Sequence, residues 1–502
     1  MFKNVGSNWV VSLVSMVAIY FITPFTIHKL GDDGYGTWNL INSITGYLGL
    51  LVLGVPMASV RYFAQHVTTG DEAKLNEAIA SCTALYLVLG AIALVVGSGL
   101  YLFFTHTYSI PTTIRGDARW AYALVVLFVS LGFIGLLPNG ILAAYDDFVP
   151  RNVVRLWGVV LRLVLTFALL ALNASLTMLA LVQLACLIFD FGSCWVLIRR
   201  RHPGARLRLA AFNWKMTRSI FAFSLYVLVL TAGIRLSFET DSLVIGAFQN
   251  VSSIPYFTVA NSFIIYLMEF ILAIAAVVMP AATRLKTRGQ HAELREVFLK
   301  WSKIAFSVTL VAGLFLMVLG PRFIAWWIDP SFERPAGQVL RILMISNLVF
   351  LPVRGVALPI LMGLGKPGLP TVGFLVAGVL NLGLSILLVR PLGLAGVALG
   401  TAIPNVLFSA LVLVQTCREL ETPIGDYVGY VVPRAALGAL PVLALLLWFK
   451  LGLDVRSLGG IVGAGAAMTL MFGLTWVFFV YRDDPYVDLR GRLAALRAGE
   501  RA

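Results

Sequence analysis

Apolar runs of about twenty residues recur along the whole chain, and most are separated by no more than a turn or a short polar segment. Each run is long enough to cross a bilayer as a helix. The pattern predicts fourteen spans, at roughly 5–27, 37–60, 79–104, 120–143, 153–172, 177–198, 219–240, 253–282, 301–320, 337–361, 370–389, 396–416, 435–450 and 458–480. Ten-residue alternating strands with aromatic girdles are absent from the pattern, which excludes a membrane β-barrel. The expected fold is all-α and polytopic. The first run is too long for a cleaved signal peptide, and "TIHKLGDDGYG" after it offers no small-residue cleavage site.

Polar positions inside the runs fall on faces rather than at random. The stretch "TAGIRLSFETDSLVIG", 231–246, places Arg235, Glu239 and Asp241 within seven positions. Each ionisable group costs about 2.5–3.5 kcal/mol at the centre of a bilayer. At 100° per residue, Ser224, Thr231, Arg235, Glu239 and Ser242 share an arc of about 80°. Lipid cannot satisfy such a stripe, so it faces protein or water. Two readings stay open: a stripe lining a hydrated cavity, or an Arg235–Glu239 pair at i,i+4 that neutralises itself. Similar stripes carry Asn8, Ser12, Ser15 and Thr26 in span one and Asn39, Asn42, Gly46 and Arg61 in span two. Span eight carries Ser262, Tyr266 and Glu269, and span ten carries Asn347 and Arg354. One stripe alone reads as helix–helix glue; several together favour a hydrated central cavity. The arginines also form a depth series, from Arg61 at the inner end through Arg354 and Arg162 to Arg235 and Arg341 in the outer third. Such a series suits a phosphate-bearing substrate, since Arg binds phosphate oxygens bidentately. Two of the arginines have structural alternatives: Arg341 snorkelling outward, and Arg162 pairing with Asp190.

Composition sharpens this picture. The 502 residues are 59% hydrophobic and 12% charged, with a mean hydropathy of +0.90. With the N-terminus inside, 26 of the 38 Lys and Arg fall in cytoplasmic segments and 8 in outer ones, with both termini cytoplasmic. The formal charge of +14 is therefore topology, and no basic, aromatic-interleaved soluble domain exists to bind nucleic acid. Cys82, Cys186, Cys194 and Cys417 read as small apolar fillers, and five scattered histidines offer no metal-ligand spacing. Trp326 and Trp327 read as members of an interfacial aromatic belt.

The longest charged stretch, 199–218, separates six spans from the next six. "NSITGYL" at 42–48 and "NSFIIYL" at 261–267 match at Asn, Ser, Tyr and Leu, each in the second helix of its group. The expected organisation is an N-terminal six-helix lobe over 1–198, a basic cytoplasmic linker over 199–218, a second six-helix lobe over 219–416 related as a parallel repeat, and two extra helices with a tail over 417–502. The linker reads as a topogenic loop or as a surface segment lying on anionic lipid.

The stretch "LGDDGYGTWNLINSITGYLGLLVLGVPMASVRYFAQ", 30–65, resembles the opening of bacterial polysaccharide transporters, the oligosaccharide-lipid flippases. Their glycine-rich turn and the segment Gly54, Ala58, Arg61 carry that likeness. "GLGKPGLPTVGFLVAGVLNLGLSILLVRPLGLAGVALGTAIPNVL", 363–407, is similar to the same family's eleventh and twelfth helices at Gly365, Lys366, Asn381, Gly393, Gly396 and Gly400. The resemblance places the chain in the multidrug/oligosaccharidyl-lipid/polysaccharide exporter superfamily. It implies a two-lobed bundle in a bacterial inner membrane that moves a polyprenyl-pyrophosphate-linked glycan to the periplasmic leaflet by alternating access. On that implication Arg61, Arg354 and Arg235 are the pyrophosphate contacts, with Asn39, Asn42 and Asn347 lining the glycan cavity. Glu239, Asp241 and Glu269 are the candidate carboxylates for H+ or Na+ coupling; Glu269 has the better depth, and Asp241 can simply end a helix at the outer surface. No resident cofactor or metal and no catalytic residue is expected. Membrane lipids, a polysaccharide polymerase and glycosyltransferases are the expected partners of a monomer.

Two other functions were weighed. A cation-coupled drug antiporter would have acidic residues dominating its cavity, whereas arginines outnumber mid-span acids here. A membrane glycan polymerase or ligase would need a loop large enough to position carboxylates or a cation, and no loop has that size.

Overall fold

The computed structural model describes residues 2–52, 54–207, 211–218, 220–221 and 240–487. These residues are almost entirely helical and include no strand. Twelve helical segments among them are long and apolar enough to cross a membrane. The first, Val10–Val52, contains two of the expected spans, because Gly31 (φ 70°, ψ 174°) bends the chain sharply between them. The seventh expected span, 219–240, lies almost wholly outside the described residues, and so do Arg235 and Glu239. Two compact units result: Met1–Arg235 with Ile245–Pro255, and Leu236–Val244 with Tyr256–Ala502.

In the first unit the second span is not the continuous helix its hydropathy suggests. The α-helix ends at Gly46, a tight turn of helix covers Tyr47–Val52, and a new helix runs Val55–Thr69. Gly46, Gly49 and Gly54 weaken the stretch, and Pro56 begins the new helix where its missing N–H costs nothing. Gly36 has a different task. A methyl group there would lie 1.9 Å from the carbonyl oxygen of Val251, so only glycine admits the segment that belongs to this unit from later in the chain. Asp71 caps the helix Glu72–Thr107 by accepting the Lys74 N–H at 3.0 Å, and that bond holds its carboxyl below the usual carboxylate range. Asp117 caps a neighbouring helix in the same way, accepting from the backbone N–H groups of Leu176 (2.6 Å) and Thr177 (3.0 Å).

The linker after the sixth span is fastened to this unit rather than free. Asn76 donates to the Gly204 carbonyl (3.0 Å) and accepts from the Arg206 N–H (2.7 Å). Ser81 exchanges bonds with the Asn213 backbone, and Asn213 donates to Glu77.

In the second unit the helix Glu333–Pro352 passes into a π-helical turn, Val353–Ala357, before continuing as Leu358–Gly363. Pro359 has no N–H to bond back, so an ordinary α pattern cannot close here. Gly355 in this turn packs on the long helix Ile254–Thr287, where a methyl would meet Ile271 at 2.6 Å. The helices Gly368–Leu392 and Leu394–Glu419 form a hairpin at Gly393 (φ 60°). A methyl at Gly396 would lie 2.0 Å from the Leu388 carbonyl, and one at Gly400 would lie 2.2 Å from Ser385 Oγ. This is small-xxx-small packing, with the two backbones nearly touching. At the far end, Lys303 and Asp484 form an ion pair at 2.5 Å with side chains 1% and 0% exposed, and the Tyr430 hydroxyl also bonds Asp484 at 2.8 Å.

Trp327 departs from its expected place. It is 8% exposed and packs on Phe263 and Phe323, so it belongs to the core, while Trp326 is exposed.

Candidate functional site

A cavity of about 280 Å³ lies inside the first unit, among the two helices joined at Gly31 and the helices Phe148–Leu172 and Leu176–Arg201. Its polar lining includes Thr23, Thr26, Tyr35, Asn39, Asn42, Arg162, Thr166 and Gln183. The helices bring these groups together by their own periodicity. Tyr35, Asn39 and Asn42 recur at i, i+4, i+7 on one face, and Asn39 and Asn42 each donate to the carbonyl four residues back, at 2.9 and 2.8 Å. That anchors both amides and leaves their oxygens directed away from the helix axis. Gln183 Nε2 donates to Asn42 Oδ1 at 3.1 Å, while Gln183 Oε1 is buried without a hydrogen-bond partner among the described residues. Arg162 is exposed and has no ion-pair partner among the described residues, and no Asp or Glu lines the cavity. One cation and several neutral donors and acceptors, with no carboxylate, give the cavity the chemistry to hold an anion bearing hydroxyl groups.

The pairing of Arg162 with Asp190 does not form. Asp190 instead accepts from Asn139 Nδ2 at 3.2 Å, and Asn139 Oδ1 accepts from Arg151 Nε at 2.8 Å. A local chain of donors satisfies the acid, so Arg162 is left to the cavity. The mid-span depth of Arg162 was the signal in the sequence; Tyr35 and Gln183 gave none.

Arg61 is exposed on Val55–Thr69 and is not among the lining residues. Arg354, Asn347, Glu269 and Asp241 lie in the second unit. The Arg354 guanidinium sits between the rings of Phe350 (5.6 Å) and Phe374 (5.5 Å). Gly355 lets Ile254–Thr287 pack closely against this π-turn at Ile271. Asn347 is buried and donates to the Leu343 carbonyl at 2.8 Å.

Asp241 does start a short helix, Asp241–Phe248, yet it is 4% exposed and not a surface group. A directed chain of donors ends on it. The Thr240 hydroxyl donates to Asn381 Oδ1 (2.9 Å), Asn381 Nδ2 donates to Thr401 Oγ1 (2.9 Å), and the Thr401 hydroxyl donates to Asp241 Oδ1 (3.0 Å). Gly396 and Gly400 make this possible by letting the hairpin helices close until Asn381 and Thr401 meet. Among the described residues, no group of three or more His, Cys, Asp or Glu could hold a metal ion.

Comparison with known proteins adds family to geometry. Residues 1–286 match the family model described as polysaccharide biosynthesis protein, and residues 242–454 match that of the lipid II flippase MurJ. An uncharacterised membrane protein of Bacillus subtilis, EpsK, is 22% identical over 425 residues, covering 81% of each chain. Among solved structures, the inward closed form of the lipid II flippase MurJ superposes with a TM-score of 0.71 at 14% identity, covering 94% of this chain and 99% of that one. An inward-facing multidrug resistance MATE transporter of the MOP superfamily gives 0.69 at 17% identity, covering 80% and 94%. The fold is that of the MOP superfamily.

Proposed function

Because the chain belongs to the polysaccharide biosynthesis protein family, we propose that it transfers a polyprenyl-pyrophosphate-linked oligosaccharide from the cytoplasmic to the periplasmic leaflet of a bacterial inner membrane by alternating access, in support of cell-surface polysaccharide synthesis. The observation that carries this reading is the cavity of the first unit. Arg162 supplies a planar fork for phosphate oxygens, while Asn39, Asn42 and Gln183 supply amides for sugar hydroxyls. A cationic drug would be repelled there. Arg61, Arg354 and Arg235 remain phosphate contacts for other stages of the cycle. Arg354 is held in reserve between two rings.

Asp241 is the carboxylate we assign to cation coupling by H+ or Na+. It is buried and close to three neutral side chains that adapt to a bound proton or metal ion.

Proteoliposomes holding the purified protein test the whole reading. A fluorescent polyprenyl-pyrophosphate oligosaccharide should reach the opposite leaflet faster than in empty vesicles, and a cationic dye should not be expelled. Dye export without glycan-lipid transfer would sink the proposal in favour of an antiporter. An imposed Na+ or H+ gradient should accelerate transfer by the wild type and not by Asp241→Asn; equal acceleration of both removes Asp241 from the coupling role.

A further inference from the structure

A second recess in the first unit, about 630 Å³, lies where Arg115–Ala144 and Leu176–Arg201 meet the fastened linker. Ile134, Phe191, Trp195 and Leu207 form apolar walls, and Arg199 and Arg206 stand at one end. Phe191, Trp195 and Arg199 follow one another at four-residue intervals, so they ascend a single helix face by about 6 Å per step. Phe191 stacks on Trp195 with centroids 6.3 Å apart, and the Arg199 guanidinium lies 6.0 Å from the Trp195 ring. Arg206 is fixed from the other side through its N–H to Asn76 (2.7 Å) and its Nε to the Pro203 carbonyl (3.1 Å). Its neighbour Arg201 is neutralised by Asp147 at 2.7 Å. Arg199 and Arg206 have no such carboxylate among the described residues. Two open guanidiniums therefore cap an apolar trough that descends about 12 Å along the helix.

We propose that this recess is a binding site for an anionic glycerophospholipid, with its phosphate between Arg199 and Arg206 and its acyl chains along Ile134, Phe191 and Leu207. The charge is complementary, and the order of charge, aromatic ring and aliphatic wall matches the order of headgroup, interface and chain in a leaflet. The lining has no amide, carboxylate or hydroxyl side chain to recognise a sugar, so a glycan-bearing carrier gains nothing here. Bulk anionic phospholipid, in large excess over any carrier lipid, fills the site by mass action. The inference depends on membrane embedding and not on which substrate is carried.

Native mass spectrometry of the purified protein with equimolar phosphatidylglycerol, phosphatidylcholine and undecaprenyl phosphate tests the assignment. The wild type should keep one phosphatidylglycerol under activation that strips phosphatidylcholine. Arg199→Gln/Arg206→Gln should lower that retention roughly ten- to thirtyfold, and Arg288→Gln, an exposed arginine of the other unit, should leave it unchanged. Equal retention by the double variant, equal retention of phosphatidylcholine, or displacement by undecaprenyl phosphate each overturns it. If the double variant is recovered misfolded, wild-type protein still decides. Chain-brominated phosphatidylglycerol should quench a saturable part of the tryptophan emission that Trp195→Phe lacks, and identical quenching curves overturn the proposal.

Discussion

Arg162 shows what one guanidinium does when no carboxylate lies beside it. Its cavity offers amides and hydroxyls but no carboxylate, so in the proposed function the substrate phosphate is the anion it would meet. A charged hydrogen bond contributes about 1.5–3 kcal/mol, which is roughly ten- to a hundredfold in affinity. Arg162→Ala should weaken glycan-lipid transfer by that factor with normal amounts of folded protein, and Arg162→Lys should fall between, since Lys keeps charge but lacks the fork. Transfer by Arg162→Ala at the wild-type rate would remove Arg162 from the site. The sequence showed Arg162 at the right depth but not its surroundings. Asn39 and Asn42 come from the second span, Tyr35 from just before it and Gln183 from the sixth, and hydropathy does not say which polar faces meet. Asp241 was misleading for a related reason: its position at the end of an apolar run suggests a surface group, and only the closeness of Asn381 and Thr401 reveals burial.

At the scale of elements, glycines decide how near two helices stand. Gly400→Ala sets a methyl 2.2 Å from Ser385 Oγ and 2.7 Å from its backbone nitrogen. Overpacking of this kind costs about 1–3 kcal/mol. It should also part Thr401 from Asn381, so a lower melting temperature and a loss of gradient-driven transfer should appear together. A variant that melts early yet keeps its coupling would show that the hairpin and the Asp241 cluster are independent. Gly365, Gly393, Gly396 and Gly400 were legible as a motif, and the structure supplies the reason: two turns with positive φ and two backbone contacts. The interruption at residues 47–54 was not legible, because Leu, Val and Gly there are as apolar as a continuous helix. The Lys303–Asp484 pair was hidden too, its partners being 181 positions apart. Asp484→Asn should strip Lys303 of its counter-charge and destabilise the second unit by about 3–5 kcal/mol, readable as a fall in detergent melting temperature that Lys303→Met/Asp484→Leu largely restores.

For the whole molecule, the charge asymmetry of the loops predicts the orientation. Cysteines introduced at Asp33, Ser175 or Ser331 in a Cys-less background should react with an impermeant thiol reagent from the periplasm, and one at Thr287 should not. Labelling at position 287 would invert the topology and the direction of transfer with it. Spans and their number follow from apolar length, which any twenty-residue run declares; the finer geometry within a span does not. The turn Val353–Ala357 holds more residues than an α-helix of equal rise requires. That surplus is slack in a rod otherwise held at both ends by the bilayer. Drawing it in would shift what lies beyond by about 1.5 Å and turn it through about 100°. Arg354 rides on the slack itself, so its guanidinium can leave the two rings and swing to a new bearing while the rest of the span stays threaded through the membrane.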